Sequence, residues 1–86
     1  MIVRKRKVCQ MIPYKIEITY STMFYDGSSY SYPIETKECT LCRKTPKAYL
    51  FKTEDFKFWV PSKIIEGKII NGSTVLPSEF IVEKIQ

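Results

Sequence analysis

Histidine is absent from the sequence, alanine occurs once, at Ala48, and cysteine three times, at Cys9, Cys39 and Cys42. Without imidazole the chain lacks the side chain that most often serves as a base near neutral pH, and a common metal ligand. The three glycines form no phosphate-binding loop, and no serine stands in a nucleophile-elbow context. The carboxylates Glu35, Glu38, Glu54 and Asp55 are scattered among lysines, the pattern of solvated surface. These absences point away from catalysis and imply no cofactor. Apolar runs fall well short of the ~20 residues of a membrane span. The opening "MIVRKRKVCQMIPYK" carries its charges inside the segment rather than ahead of an apolar core. The expectation is a cytoplasmic protein with no membrane partner and no cleaved signal.

The pair Cys39-x-x-Cys42 is the one recognisable chemical pattern. A structural zinc site needs four ligands converging at about 2.3 Å, and here only Cys9 is left to join the pair. A fourth ligand would have to be a carboxylate or come from another chain, so no metal is expected. "IETKECTLCRKT" reads instead as a strand. That places Cys39 and Cys42 on opposite faces with Cα atoms ~10 Å apart, beyond the ~7 Å limit for a disulfide. Cys39 then shares a face with Leu41 as a small buried group.

What the sequence does hold is the material of one small domain. Its 86 residues, 44% hydrophobic and 27% charged, suit a single globular unit. The formal charge of +5 is uneven, since residues 1–57 hold eleven Lys/Arg against six Asp/Glu and the remainder hold three of each. A basic arm occupies about residues 1–8.

Periodicity is that of strands. In "PYKIEITYSTMFY" Tyr14, Ile16, Ile18, Tyr20 and Phe24 alternate with polar residues. Asp26-Gly27 then provides a turn into "SSYSYPIET". A two-residue loop sets Met23 opposite Tyr30 and points Tyr30 and Tyr32 away from the Ile16/Ile18 face, making an exposed aromatic platform. A three-residue loop sets Phe24 opposite Tyr30 and gathers the apolar groups on one side, and is favoured. "KAYLFKTEDFKFWVP" is a second hairpin that pairs Phe51 with Phe58, Leu50 with Trp59 and Lys52 with Lys57, and is expected to be the central pair of strands. Glu54 and Asp55 lie near enough to offset the opposed lysines. Pro61-Ser62 and Pro77-Ser78 each signal a one-turn helix after a strand, and "GKIINGSTV" a short hairpin with Asn71-Gly72 at its tip. Residues 78–85 suit either helix or strand. The fold class expected is mainly β: a small antiparallel barrel or curved sheet of five or six strands with short helical turns.

Two functional readings follow. Arg4, Lys5, Arg6 and Lys7, with Arg43, Lys44 and Lys47 at a turn, form a basic set beside aromatic strands. Basic groups that track a backbone next to rings that stack on bases are how small β-domains hold single strands. The expectation is a nucleic-acid-binding protein, single strands favoured, with Tyr32 or Tyr49 stacking. "KAYLFKTEDFKFWVPSKII" resembles small phage and archaeal-virus proteins in which Lys-Ala-x-Leu leads through a hairpin to Trp-x-Pro-Lys-Ser. Here Lys47, Ala48, Leu50, Trp59, Pro61, Ser62 and Lys63 correspond, the last two as Ser-Lys, over about a third of the chain. The resemblance implies a small β-rich fold and a viral or mobile-element setting in a host cytoplasm. In that setting the alternative is an inhibitor or adaptor that binds a host or viral protein through an aromatic edge.

Overall fold

A computed structural model describes residues 14–86. The basic arm Arg4–Lys7 and Cys9 lie outside the described residues. Seven strands and one helical turn follow in chain order: β1 Lys15–Ser21, β2 Phe24–Tyr25, β3 Tyr30–Ser31, β4 Ile34–Lys44, β5 Ala48–Lys52, β6 Lys57–Pro61, α1 Ser62–Ile65 and β7 Ser73–Val75. Five of them form one sheet in the order β6-β5-β4-β1-β7, and β2 and β3 form a two-stranded sheet. The molecule is mainly β, as the alternation predicts, but the sheet is open rather than a closed barrel. Nor is it all antiparallel, since β7 runs parallel to β1.

β1 and β4 pair in one register from Lys15–Thr40 to Ser21–Ile34. The same register continues through the bond from the Thr22 amide to the Pro33 carbonyl (3.0 Å) and into β2–β3, where Phe24 faces Ser31 and Tyr25 faces Tyr30. The two ladders are therefore one long ribbon, and the Asp26 amide still donates to the Ser29 carbonyl (3.2 Å) in the same register, so the tip is the pair Gly27-Ser28, one residue beyond the expected Asp26-Gly27. The Asp26 carboxylate supplies the missing turn chemistry by accepting the Ser28 and Ser29 amides at 3.0 Å each and the Ser28 hydroxyl at 3.2 Å.

Across the second hairpin all three expected pairs are present: Phe51–Phe58, Leu50–Trp59 and Lys52–Lys57. Its position is corrected, because β4, not β5 and β6, is the central strand and β6 is an edge. The salt link near its tip is corrected too: Asp55 reaches Lys37 at 3.6 Å instead of the opposed lysines. The turns before and after β5 share one device. Thr45 Oγ1 accepts the Ala48 amide at 3.0 Å, and Thr53 Oγ1 accepts the Asp55 and Phe56 amides at 3.1 Å each.

The core face of the sheet carries Ile16, Ile18, Tyr20, Cys39, Tyr49, Phe51, Phe58 and Val60, covered by Ile65, Leu76 and Val82 from the last third of the chain. Tyr20 and Phe58 approach to 5.3 Å between ring centroids. Their strands are three positions apart, about 14 Å in a flat sheet, so the sheet is curled around this face. Ile81 bridges to Ser21 and Ile85 to Lys57, so residues 81–85 run from the end of β1 to the start of β6 across the mouth of the curl. Helix α1 follows Pro61 as expected, with Pro61 rather than a serine side chain at its start. After Pro77 only a single turn forms, closed by the Phe80 amide on the Pro77 carbonyl at 3.0 Å, so the expected second helix is corrected. Asn71-Gly72 does form the expected two-residue turn, with both residues at positive φ and reciprocal bonds between Ile70 and Ser73.

Candidate functional site

An unbroken register fixes which side chains share a face. Because Ser21 pairs with Ile34 and Tyr25 with Tyr30, Met23 stands opposite Tyr32, and these residues alternate away from the Ile16–Ile18–Tyr20 face. Met23, Tyr25, Tyr30, Tyr32 and Ile34 thus form one apolar stripe on the outer face of the ribbon tip, each more than half exposed. Phe24, also more than half exposed, occupies the opposite face. None of the six joins the core. The rings of Tyr25 and Tyr30 lie 4.8 Å apart, and the Tyr25 hydroxyl donates to the Gly27 carbonyl at 3.0 Å. The favoured three-residue loop, with the apolar groups gathered inward, is corrected: the ribbon presents its aromatics to solvent. The deciding signal was register parity, which a change of one residue in loop length reverses.

The platform carries little charge. From Thr22 to Ile34 the one ionisable acid or base other than tyrosine is Asp26. Hydrogen bonds from the Ser28 amide, then the Ser29 amide and the Ser28 hydroxyl, hold its carboxyl below the ordinary carboxylate value. Rings with hydroxyl handles beside serine and glycine, on a tip held by its own turn, can bury large area at little entropic cost.

The basic residues lie elsewhere. Arg43, Lys44 and Lys47 are exposed at the β4–β5 turn, the opposite end of β4 from Ile34. The ten residue steps from Ile34 to Lys44 correspond to roughly 33 Å of strand. The two clusters thus sit at opposite ends of β4. Tyr32 and the basic turn are therefore not neighbours. Tyr49 does lie beside the turn, with the Lys44 ammonium 5.6 Å from its ring centroid, but it is 0% exposed and donates its hydroxyl to Glu66. Burial, and then the Glu66 carboxylate, push that hydroxyl's pKa upward. The expectation that Tyr49 stacks on a base is corrected, since its ring is core.

Cys39 is fully buried and Cys42 exposed, both as free thiols. Cys42 stands at an irregularity in the ladder, because β4 pairs Leu41 with Phe51 and then Arg43 with Leu50. Among the described residues no three metal-ligating side chains gather into a cluster. No family model matches the chain, and no curated protein or solved structure matches it either. Among the described residues no helix is long and apolar enough to cross a membrane.

Proposed function

We propose that this protein is a protein-binding inhibitor or adaptor that engages its partner through the aromatic ribbon tip. The observation that carries the reading is the stripe Met23–Tyr25–Tyr30–Tyr32–Ile34, exposed, contiguous and nearly free of charge. Centres of protein interfaces are enriched in tyrosine and methionine and depleted in charge, and a few well-packed aromatics carry most of the binding energy. The partner we propose is a host or viral protein, following the resemblance read from the sequence of residues 47–63.

The test is photo-crosslinking. A benzophenone amino acid replaces Tyr32 in one protein and Lys47 in another, and each is irradiated in nuclease-treated host extract. The reading predicts a discrete protein adduct from position 32 and none of that mass from position 47. The same adduct from both positions, or from 47 alone, contradicts it.

A second reading rests on the exposed Arg43, Lys44 and Lys47 together with the net charge of +5: the basic end holds the phosphates of a single-stranded nucleic acid. On single strands log affinity then falls with log salt at a slope of about −0.7 per phosphate contact, and removing Lys47 reduces that slope. With Tyr49 in the core, the ring exposed at this end is Tyr14, 70% exposed and bonded through its carbonyl to the Leu41 amide, two residues before Arg43.

A further inference from the structure

On the outer edge of β6 a groove of about 270 Å³ is lined by Trp59, Pro61, Phe80, Ile81, Glu83 and Ile85 among others. It exists because the C-terminal segment meets β6 at one point only. Ile85 exchanges both backbone bonds with Lys57 at 2.8 Å, whereas Ile81 turns to Ser21 on the far side of the curl. In an antiparallel strand the outward-pointing backbone groups belong to alternate residues. Since those of Lys57 point to Ile85, those of Trp59 also point outward, and among the described residues they have no backbone partner. Trp59, the only tryptophan of the chain, is 38% exposed above the same groove.

The groove offers a ligand the outward amide and carbonyl of Trp59 and the carboxylate of Glu83, the one charged residue lining it. Glu83 makes no ion pair among the described residues. We propose that the groove binds an arginine side chain presented by an extended segment of a partner. A guanidinium carries five donors and no acceptor, stacks flat on an indole face and pairs with a carboxylate, so it fits a slot that sets the Trp59 indole beside the Glu83 carboxylate. The free amide and carbonyl of Trp59 take the backbone of that segment as an added strand residue. This assignment is independent of the partner at the ribbon tip.

Because Trp59 is the sole tryptophan, its fluorescence reports on this groove alone. N-acetyl-arginine amide is titrated into the full-length protein, with the uncharged isostere N-acetyl-citrulline amide alongside. The arginine amide gives a saturable change and citrulline amide binds at least about tenfold more weakly. Glu83 is exposed, so E83Q keeps the fold and weakens arginine binding about tenfold, while E79Q, outside the groove, leaves it unchanged. Equal binding of citrulline, an equal loss in E79Q, or no saturable change with the arginine amide overturns the proposal.

Discussion

Cys39 and Cys42 stand three residues apart on β4, yet their surroundings give them opposite chemistry. Burial raises the Cys39 thiol from about 9 up to about 12, with Glu38 adding to the effect. At neutral pH Cys39 is a packed, protonated apolar group, while Cys42 is exposed at the irregularity. A brief treatment with a thiol reagent followed by peptide mass analysis is expected to label Cys42 in the native protein and Cys39 only after denaturant. The sign of the linked pH effect follows from the raised pKa. The unfolded thiol ionises first, so this contribution to stability is intact below about pH 9 and is lost as pH rises toward about 12. A thermal denaturation series comparing wild type with Cys39→Ala over that window checks it, since the variant loses less of its stability as pH rises. Thr53 is a second residue whose role is local. It is buried, and its hydroxyl satisfies two turn amides, so Thr53→Ala should cost about 1–3 kcal/mol in denaturant unfolding, mostly by leaving those amides unpaired. A loss below ~0.5 kcal/mol would contradict that role.

Elements were legible where the pattern within one segment decided them. The alternation of Ile16, Ile18 and Tyr20 defines β1, and the Phe51–Phe58 register follows from a turn centred on Glu54-Asp55. Asn71-Gly72 has the positive φ that its type of turn requires. What the pattern did not reach was set by contacts distant in sequence or by loop chemistry. The Asp26 hydrogen bonds fix a loop of even rather than odd length, and that parity turns Tyr25, Tyr30 and Tyr32 outward. The three residues of β7 carry no signal of direction, and their parallel pairing with β1 follows from the path of residues 62–72 between opposite edges of the sheet. Tyr49 reads as a surface ring because Arg43, Lys44 and Lys47 crowd the turn just before it, but alternation places it with Phe51 inside. At this scale the account predicts an acid-sensitive ribbon tip. The Asp26 carboxyl is held low by the Ser28 and Ser29 amides, so its contribution is present above about pH 3.8, the ordinary value, and is lost as pH falls through the lower value of the folded state. Amide chemical shifts of Ser28 and Ser29 should move together in that range while those of Phe51 and Phe58 stay fixed; simultaneous movement would show global unfolding instead.

Across the whole molecule, the two ends of β4 differ in kind. One is a tyrosine-rich tip whose one charge is Asp26 and the other a turn bearing Arg43, Lys44 and Lys47, with a curled sheet between them. The composition revealed both ingredients, basic residues and aromatics, and suggested that they act together; the length of β4 holds them apart. Neither Tyr25 nor Tyr30 belongs to the core, so replacing both by alanine should change stability by no more than about 0.5 kcal/mol per site, as measured by thermal unfolding. The most direct measurement of the central claim uses the protein captured by crosslinking at the tip. Its affinity is determined for wild type, Y25A/Y30A and R43A/K44A/K47A at roughly 50 and 200 mM salt. The account predicts a loss of at least about thirtyfold for the tyrosine variant, little loss for the basic variant and a weak response to salt. Full affinity in Y25A/Y30A, with binding abolished in R43A/K44A/K47A or by the higher salt, would contradict it.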